Sequence, residues 1–340
     1  MDFNVISNDI AIDLGTSNVR IYIKGRGLVV DEPSVLACDT ISGEAIAAGS
    51  DAEKMIGRTP PGVITVNPIC EGVISDCALA EELLKIMIRR VCPKTVIKPR
   101  MVLSVHSGTT DVERRALRDA AIIAGARRVY IIESPVAAGL GAKCDVTLSR
   151  GMMVVDFGGG RCDIATVSGG QVVSLKTHKL AGKCYTDAII SYLRDRYSIS
   201  VGYLTAERCK IEAGCVYSKD MLVHSKVSGI DLSTGLPAEI TVSSEDLREA
   251  LMPVAESFAD AVKAAVEAVP SELLGDILED GILLTGGGAM IDGCAKRLKL
   301  DTDMKIFTVP EGAHCVINGL ATILENIDRI PKESYTVYQG

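Results

Sequence analysis

No CxxC pair, no HxxxH pair and no long apolar run occurs in the 340 residues, and each absence removes a class of protein. Zinc sites draw on ligands paired at such spacings, but the four histidines (His106, His178, His224 and His314) stand far apart. The eleven cysteines are scattered singly: Cys38, Cys70, Cys77, Cys92, Cys144, Cys162, Cys184, Cys209, Cys215, Cys294 and Cys315. An odd, unpaired set with no secretory signal ahead of it predicts reduced thiols in a cytoplasmic protein. A membrane span needs about 18 consecutive apolar residues, and no run reaches that length. An excess of basic charge is missing too: 36 Lys and Arg stand against 44 Asp and Glu, a net charge of −8. That balance argues against nucleic acid as a partner.

What is present, 47% hydrophobic and 24% charged residues, suffices for one large domain or two ordinary ones, each with its own core. Residues 9–30 read as two strands about the turn Gly15–Thr16–Ser17, with Asp13 at the end of the first. Residues 153–175 repeat the plan: an apolar run enters Asp156, then Gly158–Gly159–Gly160, then a returning strand. A third glycine turn, Gly286–Gly287–Gly288, follows the apolar Leu283–Leu284–Thr285 and is expected to precede a helix. Between the turns, Thr110–Asp111–Val112–Glu113 fits a capping box, and Asp76 is placed to cap a helix through Leu79, Leu83, Ile86 and Met87. Strands alternating with such helices predict an α/β fold in two similar halves, with the glycine turns facing a shared cleft. Residues 221–242 read as a hairpin in a smaller inserted unit.

A turn without side chains brings backbone N–H groups against phosphate oxygens, which suits Gly15, Gly158–Gly160 and Gly286–Gly288. A carboxylate beside a phosphate needs a divalent cation between them, so Asp13 and Asp156 make sense as holders of hydrated magnesium. The plainer alternative is that both aspartates cap turns.

The sequence resembles the actin, hexokinase and heat-shock-chaperone ATPase superfamily, and within it the MreB/Mbl family of bacterial actins. The matching stretches are Asp13–Leu14–Gly15–Thr16, Ile21–Tyr22–Ile23–Lys24–Gly25, Glu32–Pro33–Ser34, Gly57–Arg58–Thr59–Pro60, Gly72–Val73–Ile74 and Val112–Glu113–Arg114–Arg115–Ala116. Val154–Val155–Asp156, Ala206–Glu207–Arg208 with Lys210, Thr234–Gly235–Leu236–Pro237 before Ile240–Thr241–Val242–Ser243–Ser244, and Leu284–Thr285–Gly286–Gly287–Gly288 follow in order. The resemblance implies an actin-like ATPase fold: two duplicated α/β domains, each a mixed sheet with helices, around a nucleotide cleft, with small inserted subdomains. Subdomain IA would take residues 1–32, 75–147 and 319–340, IB 33–74, IIA 148–180 and 243–318, and IIB 181–242.

The resemblance further implies ATP and Mg²⁺ as ligands, self-association into filaments, work with the cell-wall elongation machinery, and a cytoplasmic protein associated peripherally with the inner face of the cytoplasmic membrane. Asp13 and Asp156 would be the phosphate-loop carboxylates that hold the metal through water. Gly15, Thr16, Ser17, Asn18, Gly158, Gly159, Gly160 and Arg161 would line the phosphates. Glu207 and Lys210 would meet ribose and adenine, and Gly286, Gly287 and Gly288 the adenosine. The stretch Arg89–Lys98, basic residues flanking Val91, Val96 and Ile97, is either a membrane-surface segment or a solvated loop.

Two positions depart from the family together. Where its loop reads Glu-Glu-Pro, with the second glutamate positioning the attacking water, this chain has Glu133–Ser134–Pro135; where two threonines follow the glycine run, it has Arg161–Cys162. A serine hydroxyl is a poor base and arginine accepts no proton, which predicts ATP binding with weak or no hydrolysis. The alternatives are that Ser134 serves as the N-cap of the helix that follows, that Arg161 points to solvent or pairs with Asp163, and that Glu133 swings in as a substitute base. A small-molecule kinase or another ATPase of the superfamily is the competing function.

Overall fold

Alternation along the first two strands decides the architecture of the first unit. Val19, Ile21 and Ile23 of strand Asn18–Ile23 are fully buried while Asn18, Arg20 and Tyr22 point the other way, the period of two that packs one sheet face against helices. The computed structural model describes residues 9–92, 98–218, 221–328 and 336–339. It divides into two compact units: Met1–Ser149, Val167–Leu175 and His314–Gly340 form one, Arg150–Thr166 and Lys176–Ala313 the other.

The first unit holds a six-stranded sheet in the order Thr336–Gln339, Arg128–Glu133, Arg100–Val105, Ile10–Leu14, Asn18–Ile23, Gly27–Pro33. The central strands run parallel and the meander from Ile10 to Pro33 antiparallel. Helix Cys77–Val91 buries Leu83, Leu84 and Met87, and starts where Asp76 accepts from the amides of Ala78 and Leu79. Helix Asp111–Ile123 starts at the expected capping box of Thr110 and Glu113. Helices Ser134–Gly141 and Cys315–Glu325 cross at backbone contact: a Cβ on Gly319 would lie 1.8 Å from the Ala137 carbonyl oxygen, and one on Gly141 1.8 Å from that of Cys315.

The second unit is built on strands Met152–Phe157, Cys162–Ser168, Ile282–Thr285 and Ile306–Thr308 of a five-stranded sheet. Helix Ser244–Glu267 begins at a capping box of Ser243 and Asp246 and buries Leu247, Leu251, Phe258 and Val262. The hairpin expected over residues 221–242 is present as strands His224–Asp231 and Pro237–Ser243.

Two local expectations need correction. The third glycine turn leads into a 3₁₀ turn, Gly287–Met290, and the helix begins only at Cys294. Ser134 is not the N-cap of its helix: Glu133 holds that position without a side-chain cap, and the Ser134 hydroxyl is used elsewhere. All eleven cysteines are free thiols. Among the described residues no helix is long and apolar enough to cross a membrane.

Candidate functional site

In the first unit the chain leaves strand Ile10–Leu14 through Asp13 and closes a tight turn, the Gly15 amide donating to the Asn18 carbonyl at 3.0 Å. A Cβ on Gly15 would sit 3.0 Å from that same oxygen, so the closure calls for glycine. Ser34, fully buried, latches the turn: its hydroxyl donates to the Gly15 carbonyl at 2.6 Å and its amide to that of Ser17 at 2.9 Å. Thr16 accepts from the Gly72 amide at 2.8 Å. The Asp13 carboxylate accepts from the Ser104 hydroxyl at 2.8 Å and lies 3.6 Å from Arg20 Nη1. A pocket opens beside it, with Ser104, His106, Thr109, Glu113 and Ser134 among its lining.

The second unit repeats the closure two residues after its own aspartate: the Gly158 amide donates to the Arg161 carbonyl at 3.0 Å. Here a helix start does the latching, with the amides of Gly182 and Lys183 donating to the carbonyls of Gly158 and Gly159 at 3.0 and 2.8 Å. Arg161 is turned to Asp163, Nε to Oδ1 3.4 Å, and Asp163 also accepts from the Thr177 hydroxyl at 2.8 Å. Pairing with Asp163 was one of the alternatives the sequence left open. Cys162 is buried, and burial raises its thiol well above the ordinary value, so it is no nucleophile at neutral pH.

The third turn is not three equal glycines. Gly286 has φ +86°, and a Cβ there would meet the Phe157 carbonyl oxygen at 2.3 Å; one on Gly288 would meet the Phe157 ring at 2.6 Å; at Gly287 nothing lies within 4 Å. Gly286 and Gly288 are therefore demanded by packing around Phe157, which stacks on Phe258 at 4.5 Å between ring centres. Of these three glycines, Gly287 alone has open space at its Cβ position.

Glu207 and Lys210 share one face of helix Tyr203–Ala213, three residues apart. Lys210 Nζ donates to the Gly182 carbonyl at 3.0 Å, to the Thr186 hydroxyl at 2.9 Å and to Glu207 at 2.7 Å. Three acceptors fill its three protons, so Lys210 orients Glu207 and ties this helix to the helix that latches the second turn. Tyr203, whose hydroxyl is pushed up to about 12 by burial and by Glu207, stands beside that pair. The sequence marks Ser34 only as part of the stretch Glu32–Pro33–Ser34 and does not mark Tyr203, because neither belongs to a glycine turn.

The two residues at the departing loop are both engaged. Ser134, 4% exposed, donates its hydroxyl to the Val105 carbonyl at 3.0 Å. Glu133 accepts from Arg114 Nη2 at 2.7 Å and from the Ser107 hydroxyl at 3.1 Å. Among the described residues no three His, Cys, Asp or Glu side chains gather as a metal cage. A lone hard carboxylate such as Asp13, or such as Asp156, suits a magnesium ion that keeps most of its water and takes its remaining ligands from phosphate. Of the stretch Arg89–Lys98, residues 93–97 lie outside the described residues; Arg90 is held by Glu32 at 3.0 Å and by the Ala48 carbonyl at 3.1 Å.

The profile of the MreB/Mbl protein family matches residues 7–332. The chain is 38% identical over 331 residues to the cell shape-determining protein Mbl of Bacillus cereus, covering 97% of this chain and 99% of that one. It is 39% identical over 330 residues to the cell shape-determining protein MreB of Escherichia coli, covering 95% of each. Among solved structures, MreB5 of Spiroplasma citri bound to AMPPNP superposes with a TM-score of 0.90 at 34% identity, over 95% of this chain and 97% of that one. The same protein bound to ADP gives 0.89 at 34% identity, over 95% and 99%.

Proposed function

The chain belongs to the MreB/Mbl family of bacterial actin-like cell-shape proteins, and from that premise we propose that it binds ATP with magnesium and assembles into filaments on the inner face of the cytoplasmic membrane, where they organise cell-wall elongation. The observation that carries the nucleotide reading is the repeated closure, Gly15 to Asn18 and Gly158 to Arg161, each two residues beyond an aspartate. Two turns of that kind offer amides to phosphate oxygens, and the Spiroplasma citri relative was solved with ADP and with AMPPNP. In the first unit Asp13 would hold magnesium through water and Gly15 to Asn18 would line phosphate; in the second unit Asp156 would hold magnesium through water, Gly158 to Arg161 would line phosphate, Glu207 oriented by Lys210 would meet the ribose, and Gly286–Gly288 would carry the adenosine. Magnesium, when bound, would neutralise phosphate charge beside a carboxylate.

Turnover is slow in this reading. The Ser134 hydroxyl is committed to Val105, Glu133 to Arg114 and Ser107, and Arg161 to Asp163, so none of them is poised to take a proton from water. Sedimentation beside phosphate release, with ATP and with ADP, tests the whole. Pelleting with ATP and little phosphate is the expected result. Phosphate release without any pelleting would overturn it in favour of a small-molecule kinase or another ATPase of the superfamily.

A further inference from the structure

Three side chains of helix Tyr203–Ala213 lie on one stripe, since Tyr203, Glu207 and Lys210 stand at i, i+4 and i+7. The stripe starts beside the second glycine turn and leads away from it. Lys210, buried, donates to the carbonyl of Gly182, whose own amide latches Gly158. Glu207 comes next and accepts from the Thr186 hydroxyl. Tyr203 is outermost, 40% exposed, with its hydroxyl beside Thr186 and Glu207. The two steps are about 4.5 and 6 Å along the axis at 1.5 Å per residue.

The outer end of the stripe offers one acceptor and one donor. The bonds that Lys210 and Thr186 give to Glu207 both fall on Oε2, and among the described residues none falls on Oε1. Burial and the Glu207 charge push the Tyr203 hydroxyl up to about 12, so it keeps its proton at neutral pH. A carboxylate accepts only, and a phenol can donate. A vicinal diol fits such a pair, because one of its hydroxyls can give a proton while the oxygen of the other takes one. We propose that Glu207 and Tyr203 together read the 2′,3′-diol of the nucleotide's ribose, Glu207 accepting from one hydroxyl and Tyr203 donating to the other, which makes Tyr203 a specificity-determining residue against sugars that lack the diol. The proposal rests on reading Glu207 as the ribose contact. Lys210 acts only through Glu207, since its three protons are already placed. A site that pairs its polar groups with substrate hydroxyls discriminates against the analogue without them, because those groups are then left unpaired.

The test is calorimetry in magnesium with ATP and with 2′,3′-dideoxy-ATP, on the native chain, Tyr203→Phe and Tyr203→Leu. The native chain is expected to prefer ATP by about a hundredfold, the joint effect of one charged and one neutral hydrogen bond. Tyr203→Phe keeps the ring and loses only the hydroxyl, so it should weaken ATP by about fivefold and leave dideoxy-ATP where it was. Tyr203→Leu should narrow the ratio by the same factor, and it supplies the reading if Tyr203→Phe fails to fold. A native chain that binds the two nucleotides alike overturns the proposal without any variant. A variant ratio equal to native also overturns it, because a contact with the base or a purely packing role for Tyr203 would weaken both nucleotides together. If the native chain binds neither nucleotide, the nucleotide reading itself falls, an outcome distinct from an unchanged ratio.

Discussion

The Ser134 hydroxyl donates its proton to the Val105 carbonyl at 3.0 Å from a position that is 4% exposed. A hydroxyl so placed braces the strand Arg100–Val105 against the start of its own helix, and a neutral hydroxyl is a poor base. Its neighbour Glu133 is held by Arg114 and Ser107. Single-turnover hydrolysis of bound ATP is therefore expected to be slow in the native chain and slow in Glu133→Ala. The double variant Ser134→Glu with Arg161→Thr should be faster by about 10²- to 10⁴-fold, the usual contribution of general-base help. A double variant no faster than native, at normal ATP affinity, would show that these two residues do not silence the site.

The glycines of the third turn should separate by function. Gly288→Ala forces a methyl to within 2.6 Å of the Phe157 ring and should cost about 1–3 kcal/mol of stability. Gly287→Ala, with open space around it, should stay within about 0.5 kcal/mol of native but bind ATP more weakly. Chemical denaturation and nucleotide titration on the same two variants decide the matter. Equal stability loss at both positions would contradict the packing argument.

Acid stability should depend on Asp31. Burial alone would raise its carboxyl, but His314, Arg20 and Asn18 outweigh that and hold it below its ordinary value of 3.8. A lowered folded-state value means the carboxylate stabilises the fold fully above the unfolded value and loses that contribution as pH falls through the folded one. Urea melts from pH 7 down to about pH 3 should show native and Asp31→Asn well separated at neutral pH and converging at the acid end. A gap that stays constant over that range would remove Asp31 from the account.

Membrane association, proposed from the family and from Arg89–Lys98, should follow anionic lipid content in liposome flotation. Arg89 and Lys98 are exposed, whereas Arg90 is occupied by Glu32 and Ala48. Replacing Arg89 or Lys98 by Ala should weaken binding by about fivefold each, at about 1 kcal/mol per basic residue, and replacing Arg90 by less. Flotation that ignores anionic lipid would dispose of the segment as a membrane contact.

Thiol chemistry should mirror burial. Cys70 and Cys77 are exposed and should react with maleimide at neutral pH in the folded chain. Burial raises Cys294 to about 12 and Cys162 well above its ordinary value, so both should label only after denaturation. Peptide mass mapping of the labelled native chain reads this directly.

Much of the fold was legible in the chain itself, because the signals are local. Alternation through Val19, Ile21 and Ile23, the capping pair Thr110 and Glu113, the Asp76 cap and the hairpin near 221–242 all act over a few residues, and each appears where the sequence placed it. The paired glycine turns were also visible, since a backbone closure of four residues writes its glycine and its aspartate at fixed spacing. Side-chain partners across long separations were not. Ser34 on the first turn, Phe157 against Gly286 and Gly288, Ser134 on Val105, and Arg20 between Asp13 and Asp31 are matters of which strand or helix lies alongside which. The sequence by itself determined where the turns are and that the first two carry a carboxylate. Only the tertiary structure decided which glycines serve packing and which charges are already spent, because hydrogen bonding and Coulomb attraction depend on distance in space, which spacing along the chain does not record.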